Sequence, residues 1–141
     1  MAGTFEFIEH TADIAVRLRG DTPGALFEAA AAALTDAITT GSAVRPNEAS
    51  TVTRDAPELD LLLVDWLEEL LYRFETEGLL VADADVAIAS GDAVRLHAHI
   101  RGERRDEARH PIKVLVKAVT FHGLHVTKTS EGYETTVVFD I

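Results

Sequence analysis

The chain of 141 residues contains no cysteine. Disulfides, thiolate zinc sites and cysteine nucleophiles are therefore excluded, and a reducing cytoplasm suits that composition. No apolar run approaches the length needed to span a bilayer. The opening residues, Met-Ala-Gly-Thr-Phe-Glu-Phe, have neither the basic start nor the apolar centre of a secretory signal. Bases are scarce: 13 Lys and Arg stand against 24 Asp and Glu, a net charge of −11. Free-standing attraction to nucleic acid phosphates is unfavourable at that charge. Also missing are a Walker loop, GxGxxG, GxSxG and HExxH. There is no internal repeat, linker or low-complexity tail.

What remains is an ordinary globular composition, 47% hydrophobic and 26% charged. Residues 1–141 are enough for one domain with a real core. The charges fall in blocks. Residues 55–92 hold eleven acids against Arg73 alone, and residues 95–117 hold seven bases against Glu103, Asp106 and Glu107. Such blocks describe either a solvated acidic helix and a basic loop, or two faces that meet different parts of a charged partner.

Ile14, Val16 and Leu18 alternate with Ala15, Arg17 and Arg19, which predicts a half-buried strand with Asp13 on its polar side. Thr22 and Pro23 then fit the N-cap and first position of a helix running to about residue 39, with Gly41 as its stop. Leu26, Ala30, Ala33, Leu34, Ala37 and Ile38 form its apolar stripe. A second helix from Leu59 carries Leu62, Leu63, Trp66, Leu67, Leu70, Leu71 and Phe74 at helical spacing and stops at Gly78. Strands are predicted at 49–54, 79–89, 93–101, 113–121, 124–128 and 133–141, with a polar, arginine-rich loop over 102–111. The expected fold class is α+β: two layers, with largely antiparallel sheet and both helices on its apolar face.

Few residues gather chemistry. Asp13, the Asp140 carboxylate and the oxygens of Ile141 would form an oxygen-only site for Ca²⁺ or Mg²⁺ if the first and last strands pair. Solvent-facing aspartates at strand ends are the plainer reading. Asp65, Glu68, Glu69 and Tyr72 share one face of the second helix. They make either a carboxylate surface for a basic groove or cation, or simply a solvated side. His97 and His99 point to the same face of one strand, a ligand geometry without an obvious third partner. His122 and His125 flank a turn. Lys113 and Lys117 would share a strand face and suit an anion or a neighbouring carboxylate.

Three blocks together narrow these readings. They are His10-Thr11-Ala12-Asp13, the segment Leu63-Val-Asp-Trp-Leu-Glu-Glu-Leu-Leu-Tyr-Arg-Phe-Glu75, and Lys117-Ala-Val-Thr-Phe-His-Gly-Leu-His125 running on to Val138-Phe-Asp-Ile141. In this order, and over essentially the whole chain, they resemble the archease family. Phe121 stands where that family often has Tyr, and Gly123 where a larger residue is usual. The resemblance implies a small cytoplasmic accessory protein, not an enzyme. It implies a partner, the GTP-dependent RNA ligase of the RtcB type that joins tRNA halves and repairs broken RNA. The accessory protein promotes guanylylation of the ligase and its multiple turnover, and meets RNA only through it. It also implies a bound Ca²⁺, with Mg²⁺ or Mn²⁺ as substitutes, between Asp13, Asp140 and the Ile141 carbonyl. His10, Asp65, Glu68, Glu69, Lys117 and His122 are the candidate partner contacts. Two other readings predict different behaviour: a divalent-cation-dependent hydrolase, and a chaperone-like interaction module with a structural cation.

Overall fold

A computed structural model of the chain describes residues 3–8, 13–120 and 123–141. Among these residues two antiparallel sheets and two α-helices make up the α+β fold. The first sheet holds β1 (Gly3–Ile8), β2 (Asp13–Gly20), β6 (Ala118–Thr120), β7 (Thr127–Thr129) and β8 (Gly132–Asp140). Its order is β1-β2-β8-β6, with β7 also paired to β8. The second sheet holds β3 (Glu48–Ala56), β4 (Leu79–Ser90) and β5 (Val94–Arg104), with β5 in the centre.

Helix α1 (Pro23–Ile38) starts as its sequence dictates, with the Thr22 hydroxyl accepting from the Ala25 N–H and Pro23 at the first turn. It is buried on more sides than the predicted stripe. Phe27, Ala29 and Ala31 are covered along with Leu26, Ala30, Ala33 and Leu34. A helix apolar nearly all round belongs inside a core rather than on one. Here α1 packs on β1 and β2 of one sheet, on β4 of the other, and on the second helix. Its polar side chains cover the β4 edge: Thr35 Oγ1 donates to the Val81 carbonyl at 2.8 Å, and Glu28 Oε2 accepts from the Val86 N–H at 2.9 Å. Helix α2 (Leu59–Glu77) buries Leu62, Leu63, Trp66, Leu67, Leu70 and Leu71 and ends at Gly78 in the left-handed conformation, φ 71°. The Trp66 indole N–H donates to the Phe27 carbonyl at 2.9 Å, tying the helices together.

Several sequence expectations need correction. β1 was not anticipated, although Phe5 and Phe7 alternate with Thr4 and Glu6. β5 runs on to Arg104, because Gly102, Glu103 and Arg104 still pair with Val81, Leu80 and Leu79. Only Gly fits at 102, where a Cβ would strike the Leu80 carbonyl oxygen. The strand expected over 113–121 is present only as Ala118–Thr120 among the described residues. The Lys113 N–H is instead bonded to the Ile38 carbonyl at 2.7 Å, and Thr39 Oγ1 donates to the Pro111 carbonyl. The segment is thus held to the end of α1, and Lys113 and Lys117 do not share a strand face. The strand expected over 124–128 is confined to Thr127–Thr129.

Candidate functional site

β2 and β8 lie side by side in the first sheet, and their register places Asp13 directly opposite Asp140. By strand parity both residues belong to the face opposite the core side chains. Residues of the other parity, Val16, Leu18, Val137 and Phe139, are fully buried. Directly opposed residues of an antiparallel pair have Cβ atoms about 5 Å apart, within reach of one shared cation. Like charges so placed destabilise the pairing, and a cation held between them turns that cost into attraction. The Asp140 carbonyl accepts the Lys117 N–H at 2.7 Å, which leaves the side chain to do the binding. Ile141 follows at the exposed end of the strand, so its main-chain carbonyl lies at the same corner.

Among the described residues no group of three or more His, Cys, Asp or Glu side chains comes together as metal ligands. The donor set is two carboxylates plus main-chain oxygen. That chemistry fits a hard cation such as Ca²⁺, which takes six to eight oxygens and would fill the rest of its shell with water or a partner's groups. Beside Asp13 lies a groove of about 460 Å³, lined by Phe7, Ile8, Ile14 and Val114 with Asp36 and Lys113. A polar hollow of about 350 Å³ at the opposite end of the sheet, among Arg19, Asp21, Glu131 and Tyr133, contains none of the candidate residues.

The other candidates scatter. Glu69, on α2, is gripped by Arg54 at 2.6 Å and Arg73 at 2.7 Å, and Asp65 meets Arg54 at 3.5 Å. These two carboxylates thus face β3 of the second sheet, away from Asp13 and Asp140. Glu68 and Tyr72 of the same helix are exposed. Lys117, also exposed, is adjacent to the Asp140 corner through its backbone. His10 and His122 lie outside the described residues. His97 and His99 do share an exposed strand face, with ring centres 5.0 Å apart.

The acidic and basic blocks of the sequence interleave in space. Arg95 pairs with Asp55, Arg101 with Asp83 and Asp85, and Arg104 with Glu48 and Glu77. Two segregated faces do not form, because β5 carries the bases between the acids of its neighbours.

Sequence reasoning also missed a buried polar cluster. Glu103, almost fully covered, accepts both oxygens' worth of bonds from Arg109 at 2.8 Å and one from the Arg45 N–H at 3.1 Å. His110 has no exposed surface, and its Nδ1 accepts the Asp106 N–H at 2.9 Å. The ring proton therefore sits on Nε2, which lies 2.9 Å from Glu103 Oε1. The Arg109 hydrogen bonds, helped by the Arg45 N–H, lower the Glu103 carboxyl from 4.5 to about 2, against the opposing effect of burial. The available signal was Glu103, an acid set close to arginines in the run of 101–109. The cluster secures this loop, which runs on to Lys117 and so to the Asp140 carbonyl.

Comparison with known proteins supplies the remaining finding. The sequence profile of the archease protein family matches residues 5–141. The chain is 39% identical over 138 residues to a protein of Methanopyrus kandleri named protein archease, covering 97% of this chain and 99% of that one. A protein of Archaeoglobus fulgidus with the same name is 38% identical over 137 residues, covering 97% and 98%. The solution structure of Methanobacterium thermoautotrophicum protein 1598 superimposes with a TM-score of 0.82 at 29% identity, covering 97% of this chain and 98% of that one.

Proposed function

The chain belongs to the archease family, and on that premise we propose that it is a cytoplasmic accessory protein of a GTP-dependent RNA ligase of the RtcB type. It promotes guanylylation of the ligase and its multiple turnover, performs no catalysis itself, and reaches tRNA or other RNA only through that partner. The observation that carries this reading is the register that sets Asp13 opposite Asp140 at an exposed corner. Two carboxylates held across a sheet form a rigid cradle, and an open coordination shell lets a cation be shared with a second molecule.

Asp13 and Asp140 hold the ion, and the Ile141 main-chain oxygen completes the protein's share. Ca²⁺ is the proposed occupant, with Mg²⁺ or Mn²⁺ able to substitute. A cation there supplies positive charge against the phosphates of a nucleotide undergoing transfer. The Lys117 N–H fixes the Asp140 backbone and so the direction of its side chain. The apolar groove beside Asp13 gives a protein partner something other than charge to grip.

A guanylylation assay of the cognate ligase tests this. Wild-type protein accelerates formation of the ligase–GMP adduct. Asp13→Ala and Asp140→Ala remove the acceleration while keeping cooperative thermal unfolding. Full stimulation by both well-folded variants would overturn the reading. Lower thermal stability with activity intact would point instead to a chaperone-like module whose cation is structural.

A further inference from the structure

We propose that His97 and His99 form a second cation site, for a borderline divalent ion of the Zn²⁺ type, on the outer face of the β3-β5-β4 sheet. The two residues are two apart on β5, so both rings project from one face of the central strand. Both are exposed. Their ring centres are 5.0 Å apart, with the ring planes at 84°.

That separation is compatible with a shared tetrahedral ion. An imidazole nitrogen binds Zn²⁺ at about 2.0–2.1 Å and the ring centre lies about 1.1 Å beyond, so two rings at the tetrahedral angle have centres about 5.2 Å apart. The rings now meet edge to face, so each turns about its side-chain bonds to bring one nitrogen to a shared ion. Their shared strand face holds the two imidazoles within reach of one ion.

The neighbours suit the same end. By register His99 has Thr51 on one side and Asp85 on the other, and His97 has Thr53 and Ala87. Short side chains leave the rings open to solvent. Asp85 now accepts from Arg101 at 3.1 Å, but Arg101 also pairs with Asp83. Asp85 can therefore turn to the ion without leaving Arg101 alone. As the side chains stand the three are not gathered, but once Asp85 has turned, two imidazoles and one carboxylate with water in the fourth position make an open zinc set.

This donor set differs in kind from the oxygen corner at Asp13 and Asp140. Nitrogen ligands select Zn²⁺, Cu²⁺ or Ni²⁺, whereas carboxylates and carbonyls select Ca²⁺ or Mg²⁺. The two sites lie on different sheets and can be titrated separately.

Isothermal titration of untagged protein with zinc chloride, alongside imidazole NMR spectra, is the test. One ion binds per chain, and the His97 and His99 resonances shift together. His97→Ala or His99→Ala weakens binding at least about tenfold, and Asp85→Asn weakens it less. The double variant Asp13→Asn/Asp140→Asn, and excess Ca²⁺, leave it unchanged. Absence of binding at millimolar zinc would overturn the proposal. So would binding that survives both histidine variants, or binding abolished by the double aspartate variant. Because both histidines are exposed, the substitutions leave thermal unfolding where it was, and lost binding is not lost fold.

Discussion

Glu103 shows how one residue can hold a whole loop. Its carboxylate meets Arg109, the Arg45 N–H, Asn47 and the Nε2 of His110. A carboxyl lowered from 4.5 to about 2 on folding contributes stability that is fully present above the upper value. That contribution disappears as the pH falls through the lower one. Thermal midpoints should therefore decline between about pH 4.5 and about pH 2 with a part of the slope that Glu103→Gln removes, and the variant should be less stable than the parent near neutrality. Asp106 adds to the same slope, since the Ala108 and Arg109 N–H groups hold its carboxyl below the usual range. The polar side of Asp13 was legible because strand parity needs only a period of two, whereas its place opposite Asp140 depends on β2 pairing with β8. The Glu103 cluster was not, because burial of a polar group depends on partners brought from Arg45 and Asn47, far away in sequence.

Elements with strong internal signals matched their sequences. Helix α2 has eight apolar residues at helical spacing and a glycine stop, so no tertiary contact had to decide its bounds. Strand β1 has a weaker alternation of two phenylalanines. It exists because β2 offers it a partner along its length, from Gly3 against Gly20 to Ile8 against Ala15. The segment before β6 failed in the opposite direction: its residues have strand character, but the Lys113 N–H is bonded to the end of α1. Tertiary demand decided both cases. The burial of α1 leads to a measurable expectation. Ala33 has no exposed surface, so Ala33→Leu should destabilise the protein by about 1–3 kcal/mol through overpacking. Trp66→Ala, which empties the seam between the helices, should cost about 3–5 kcal/mol. Urea titrations at constant m-value measure both.

For the molecule as a whole, the net charge of −11 sets the background on which every local pair acts. Most ion pairs across the second sheet are exposed, and each contributes little, about 0–1 kcal/mol. Their effect lies in removing the charge segregation that the sequence suggests. A partner that meets this protein therefore sees an acidic body without segregated faces, with hard carboxylates at one corner. The first sheet is also where connectivity matters most. β8 lies between β2 and β6 and pairs with β7 as well. Deleting residues 132–141 removes the strand that joins these three and should abolish cooperative unfolding, as circular dichroism against temperature would record.

The same connectivity has a temporal side. Asp13 and Asp140 lie far apart in sequence, and neither has its counterpart until β8 has entered the sheet between β2 and β6. Pairings at such separation carry a large loop-closure cost and are slow to form. A chain in which β8 has not docked therefore cannot display the pair, and the corner where the two strands meet reports that the first sheet is assembled.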